Sequence, residues 1–195
     1  MTVSLFDILS KLIPGGLLLF AILQSHSITK IEYNEVVVLI VIYILGYLVE
    51  AISSIIERPI IFRLFGGNPA VKMLNGEKFL QIKLSRLEKL NEVIEEKYKE
   101  YKEDKLQLFR IFHSVVSKKD YPRINHFLEQ YTLSRNLLIS CSIAGIYYLS
   151  SHFNWIDLSL FTMILVIIFL RTKQRNYYFT HEVINSYFYE ETHKK

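Results

Sequence analysis

The chain has 195 residues, 51% of them hydrophobic and 14% aromatic, with a formal net charge of +4. The apolar residues gather into runs and the charges lie between them, which excludes an ordinary soluble globule, a disordered chain and a disulfide scaffold. The single Cys141 lies in an apolar run and has no intrachain partner for a disulfide.

Four apolar runs organise the sequence. The first is Leu12 to Leu23, reached through Leu5, Phe6, Ile8 and Leu9. Asp7 lies on its N-terminal side, and no small-residue cleavage site follows Leu23, so it reads as a retained helix and not a signal peptide. Pro14-Gly15-Gly16 is expected to break or kink it. Asp7 and Lys11 are four apart, share a face and can pair. The second run, Val36 to Val49, continues past Glu50 to Ile56; Gly46, Ser53 and Ser54 permit close helix contact. The third runs from Leu137 to Leu149 and the fourth from Leu158 to Leu170. Each strict run is shorter than the roughly 17–25 residues of a spanning helix, and reaches that length through its flanking polar residues. Tyr33, Tyr147, Tyr148 and Trp155 stand where an aromatic belt would lie.

Between the second and third runs, Ile60, Ile61, Phe62, Leu64 and Phe65 make a short amphipathic stretch that ends at the turn Gly66-Gly67-Asn68-Pro69. A helix is expected from about Lys78, with Leu80, Leu84, Leu87, Ile94, Tyr98 and Tyr101 on one stripe. A second carries Leu108, Phe109, Phe112, Val115 and Val116. Asp120-Tyr121-Pro122 restarts a helix that continues into the third run. The fourth run continues through Phe179, Val183, Ile184, Tyr187 and Phe188. These stripes are expected to bury one another in a helical bundle.

Lys and Arg counts set an expected orientation. The segment Arg58 to Arg135 holds 16 of them and the tail from Arg171 holds five, whereas Gln24 to Glu35 holds only Lys30 and Ser150 to Asp157 none. Both termini and the central segment are therefore expected in the cytoplasm. The fold expected is all-α, with four transmembrane helices and a cytoplasmic helical bundle. Residues 1–57 hold the first two membrane helices, 58–135 a cytoplasmic helical region, 136–170 the last two membrane helices and 171–195 a C-terminal cytoplasmic helix.

No Walker, Gly-x-Gly-x-x-Gly or Gly-x-Ser-x-Gly motif is present, and none of the six histidines sits at metal spacing with another. No cofactor or metal is therefore expected. Asp7, Lys11 and Glu50, with Gly15 and Gly16 as a hinge, are candidates for a pore or gate, because ionisable residues at membrane depth face protein or water. The alternative is an interfacial position, with Glu50 paired to Arg135 or Arg171.

Arg175-Asn176-Tyr177-Tyr178-Phe179-Thr180-His181 resembles the Arg-(Asn/His/Asp)-x(n)-His signature of HEPN ribonucleases. That resemblance implies a small helical bundle that cleaves RNA without metal at a dimer interface. Arg175 would contact phosphate, Asn176 would fill the second motif position and His181 would move the 2′-hydroxyl proton. The whole layout is similar to small membrane proteins of bacterial anti-phage systems. These include the accessory protein of type VI-B CRISPR loci, which joins membrane helices to a HEPN-like bundle, and the four-helix effectors of cyclic-oligonucleotide systems. The resemblance implies an antiviral-defence protein of the inner membrane that oligomerises and permeabilises or depolarises the bilayer when triggered. Its partners would be lipid, further copies of itself and a soluble defence protein. Two alternatives are a membrane-tethered HEPN-type ribonuclease, the one reading with an enzyme activity and a nucleic-acid partner, and a non-enzymatic anchor that recruits a soluble partner through the charged Lys78–Asp104 segment.

Overall fold

A computed structural model describes residues 5–25, 34–84, 87–119 and 121–193. The side chain of Asp7, Tyr33 and the loop around His26 and Lys30 lie outside the described residues. The described chain is helical, with one isolated antiparallel bridge between Phe79 and Ile82. In order come α1 (Leu5–Ser25), α2 (Glu35–Ile56), a π turn (Glu57–Ile61), α3 (Phe62–Leu64), α4 (Pro69–Leu74), α5 (Leu87–Lys97), a 3₁₀ turn (Lys99–Tyr101), α6 (Lys105–Val116), α7 (Pro122–Ser151) and α8 (Trp155–Thr192).

Among the described residues two helical stretches, not four, are long and apolar enough to cross a membrane: Glu35–Leu64 and Trp155–Thr192. The apolar part of α1, Ile8–Gln24, is shorter. In α7, Ser140, Ser142, Ser150 and Ser151 dilute the apolar run, and Arg135 and Asn136 stand directly before it.

The chain divides into two compact units. The first holds residues 1–57 and 129–172, the second residues 58–128 and 173–195. The division falls inside α7 and α8, so each of these helices contributes to both units.

In the first unit α1 and α2 cross with their backbones almost touching. A Cβ built on Gly15 would lie 1.9 Å from the Ile42 carbonyl oxygen, and one on Gly46 would lie 1.9 Å from that of Lys11. Only hydrogen fits at either position, which is the small-residue logic of helix pairs whose backbones meet. Gly145 of α7 is occupied in the same way by the ring of Phe161 on α8, 1.9 Å from its virtual Cβ. The polar residues Ser10, Ser53, Arg135, Asn136, Ser140 and Thr172 are buried, while Phe20, Ile44, Ile146 and Ile167 are exposed. Val49, Leu138, Ile139 and Ala144 are buried beside them, so the interior is mixed, while the outward apolar surface is unlike that of a soluble protein.

The second unit is arranged in the ordinary sense, with apolar side chains inside. Leu90 and Ile94 of α5, Leu108, Phe112 and Val116 of α6, Ile124 of α7 and Val183, Ile184 and Tyr187 of α8 share one core with Met73 and Leu74 of α4. Phe112 stacks on Tyr187 at a centroid distance of 4.0 Å, and Tyr98 meets both rings edge-on. The Tyr187 hydroxyl donates to that of Tyr98 at 3.0 Å. At the rim, Lys97 pairs with Glu191, while Lys119 and Tyr121 both donate to Glu190. That hydrogen bond to the Glu190 carboxylate holds the proton on Tyr121 and pushes the phenol pKa up to about 12.

The helix expected from Lys78 does not start there. Asn75-Gly76 ends α4 with Gly76 at φ 83°, and the chain then turns tightly between Phe79 and Ile82 with Leu80 at φ 54°. A left-handed leucine cannot continue a right-handed helix, so Leu80 and Leu84 precede α5 and do not lie on it. Tyr101 belongs to the separate 3₁₀ turn. The expected turn at Gly66-Gly67-Asn68-Pro69 is present: both glycines have positive φ, and the Asn68 side chain accepts from the Ala70 N–H at 2.8 Å to cap α4.

The glycine contacts give a direct test. Gly15→Val and Gly46→Val should each destabilise the first unit by about 3 kcal/mol, because a backbone must move to admit the new carbons. Gly16, whose nearest neighbour is Ile42 Cγ2 at 3.9 Å, should accept alanine with a change below about 1 kcal/mol. Unfolding in mixed micelles by increasing denaturing detergent measures all three.

Candidate functional site: a polar seam inside the apolar unit

The polar groups of the first unit form a seam along one side of α7. They begin from a defect in α1. Pro14 lies inside that helix and has no N–H to give to the carbonyl of Ser10, four residues before it. The helix nevertheless runs unbroken from Leu5 to Ser25. A donor reaches this carbonyl from another helix: Asn136 Nδ2 donates to Ser10 O at 3.4 Å. The other end of the same amide is used as well, since Ser53 Oγ on α2 donates to Asn136 Oδ1 at 2.7 Å. One fully buried side chain therefore ties α7 to both α1 and α2. A turn further along α7, Ser140 Oγ donates to the Pro14 carbonyl at 2.6 Å.

Toward the other end of the seam, Arg135 Nη1 donates to Glu57 Oε2 at 2.5 Å and its Nη2 to Ser54 Oγ at 3.1 Å. Tyr131 donates to the second oxygen of Glu57 at 2.6 Å, and the Arg135 guanidinium lies over the Tyr131 ring. The 131/135 spacing is one helical turn, so both side chains reach the same carboxylate. Charge-assisted bonds of this kind are the strong ones in a low-dielectric interior.

The expected pore or gate residues fall partly into this region. Lys11 Nζ lies 3.4 Å from Glu50 Oε2, and the two side chains are 15% and 30% exposed. Glu50 is thus paired with Lys11 across the α1–α2 contact and not with Arg135, which is committed to Glu57. Asp7, the expected partner of Lys11, has its side chain outside the described residues. Gly15 is packed against α2 at a continuous stretch of α1, and Gly16 beside it makes ordinary contact.

Arg175, Asn176 and His181 lie on α8 within the second unit, whereas the seam belongs to the first. Six residues on a continuous helix turn through about 600°, so Arg175 and His181 occupy different faces. Asn176 is buried and accepts from the Thr180 hydroxyl at 3.4 Å, while His181 is within 3.0 Å of the Asn185 amide. His181, Glu182 and Asn185 line an open cavity of about 810 Å³ together with Tyr121, Pro122 and Arg123. Within one chain the structure does not bring Arg175 and His181 onto one substrate atom.

Sequence reasoning missed Asn136 and Ser140. The readable signal was a proline in an apolar helix, which removes the usual donor of one carbonyl, together with an amide at the start of another apolar run.

No protein-family model, curated protein or solved structure matches the chain.

The seam predicts non-additive behaviour. Asn136→Leu should destabilise the unit by about 1–3 kcal/mol, since two hydrogen bonds to buried groups are lost. Pro14→Ala restores the N–H that Ser10 O lacks. In that background the cost of Asn136→Leu should shrink by about half, because only the Ser53 bond still depends on it. A double-mutant cycle in detergent unfolding reads the coupling.

Proposed function

We propose that this chain is a multi-pass membrane protein, with both termini and the second unit in the cytoplasm, that assembles with copies of itself to alter membrane permeability. In this reading α1, α2, α7 and α8 all enter the bilayer, α1 and α7 being carried by their packing on α2 and α8. The apolar outer surface of the first unit supports this placement, because large apolar side chains on the outside of such a unit match hydrocarbon.

The observation that carries the permeability reading is the Lys11–Glu50 pair. Both charges are partly exposed on helices whose other outward residues are mostly apolar. Glu50 lies eight residues before Arg58 on a continuous helical stretch, about 12 Å along its axis. Charges at that depth face protein or water, not lipid. One chain covers them only partly, and further copies around an axis would both shelter the pair and enclose a conduit. A role as a triggered effector of antiviral defence in a bacterial inner membrane follows from the similarity of the whole layout to anti-phage membrane proteins.

The test is membrane potential in cells that carry the chain with its native neighbouring genes under phage challenge. Depolarisation should accompany protection. Glu50→Gln and Lys11→Met should each reduce it several-fold with expression unchanged. Undisturbed potential during full protection would remove the permeability reading and favour a non-enzymatic anchor.

A further inference from the structure

The helical stretch Glu35–Leu64 ends in two arginines that have no acidic partner among the described residues. Arg58 lies in the π turn and Arg63 in α3, and both are exposed. Among the described residues neither makes an ion pair, although six such pairs occur elsewhere. Pro59 explains the π turn: without an N–H it cannot hold the α-helical register against Ile55.

Both arginines line one cavity of about 490 Å³, with Phe62, Gly66, Gly67, Asn68 and Leu106. None of these residues is acidic. Gly66 and Gly67 have φ of 79° and 129°, a conformation that requires glycine, and their lack of side chains keeps that wall open. Asn68 Oδ1 is occupied by the Ala70 N–H, so what Asn68 can offer the cavity is its NH₂ donor. Lys72 lies beside the glycines, with Nζ 3.5 Å from a Cβ built on Gly66, and is paired with Glu77. The remaining wall, Phe62 and Leu106, is apolar. Two guanidinium forks and an amide donor at one place, next to an aromatic and an aliphatic wall, suit a phosphate that carries an apolar body.

We propose that the Arg58–Arg63 cavity binds the phosphodiester of an anionic phospholipid, with Phe62 and Leu106 against its glycerol and first acyl carbons. The inference rests on the reading of Glu35–Leu64 as a membrane span, because that span would put the cavity at headgroup level, where basic pockets meet anionic lipid. Inorganic phosphate offers the same charge without the apolar body.

The experiment uses the full chain in nanodiscs of phosphatidylcholine with one-fifth phosphatidylglycerol, released for native mass spectrometry. The wild type should retain phosphatidylglycerol in preference to phosphatidylcholine. Arg58→Gln/Arg63→Gln should lose that preference by about tenfold, the loss of two charge-assisted contacts. Lys89→Gln/Lys99→Gln, which removes the same charge at exposed positions, should keep it. Leu106→Trp retains both arginines and fills the cavity, and should also reduce retention, so a poorly folding double variant does not decide the matter. Equal retention in wild type, arginine variant and Leu106→Trp overturns the proposal. Displacement of the lipid by millimolar inorganic phosphate overturns the lipid as the source and leaves a free-anion site. Extraction of the chain from membranes by alkaline carbonate without detergent would instead defeat the membrane reading itself.

Discussion

The first unit depends on how it accommodates a proline inside an apolar helix. Pro14 removes the donor for Ser10 O, and in an apolar setting an unmet carbonyl is costly. Asn136 supplies the missing donor and at the same time accepts from Ser53. The position of α7 against α1 and α2 is therefore set by hydrogen bonding and not by apolar contact alone. In the membrane placement proposed above, apolar contact alone would set it poorly, because lipid tails are as good a partner for leucine as another helix is. Gly15 and Gly46 add close backbone approach, and Glu57 adds an ionic anchor for Arg135 and Tyr131. Specific polar and small-residue contacts thus locate the helices that the outer apolar surface would leave free to slide.

The two units differ in interior and surface. In the second, Phe112, Tyr187, Leu108 and Ile184 are inside, and the lysines and glutamates of α5 are outside. In the first, Ser10, Ser53, Arg135, Asn136 and Ser140 are inside beside Val49, Leu138 and Ile139, and Phe20, Ile44, Ile146 and Ile167 are outside. Helices α7 and α8 take part in both, and each changes its pattern along its length. α8 is apolar on the outside up to Leu170, and from Asn176 onward it buries Tyr177, Val183, Ile184 and Tyr187. Each of these two helices carries both patterns and so joins a unit with an apolar surface to one with an apolar core by covalent continuity.

Much of this was legible in residue patterns. Pro122 marked the start of α7, the uninterrupted run after Trp155 marked a long α8, and Gly66-Gly67-Asn68-Pro69 marked the turn before α4. The helix expected from Lys78 failed because leucines at helical spacing do not reveal that Leu80 sits at positive φ. The number of long apolar helices was overestimated, since strict apolar runs in α1 and α7 count the same as those in α2 and α8 until length and serine content are weighed. The Lys11–Glu50 pair was half legible: both residues stood out as charges near apolar runs, but the residue across the helix contact is a tertiary fact. Nothing in the sequence singles out Asn136, because an amide beside an arginine at the start of an apolar run looks like a boundary. Its role needs the knowledge that Ser10 O is the group opposite.

The central claim is that the outward apolar faces of α1, α2, α7 and α8 all meet hydrocarbon. The most direct measurement is nitroxide labelling at Phe20, Ile44, Ile146 and Ile167, one at a time, in vesicles with the full chain. Collision with oxygen should exceed collision with a water-soluble nickel chelate at all four positions, as expected for sites in the acyl region. A label at Phe20 or Ile146 that is reached freely by the nickel reagent would contradict the account, and would leave α2 and α8 as the helices in the membrane.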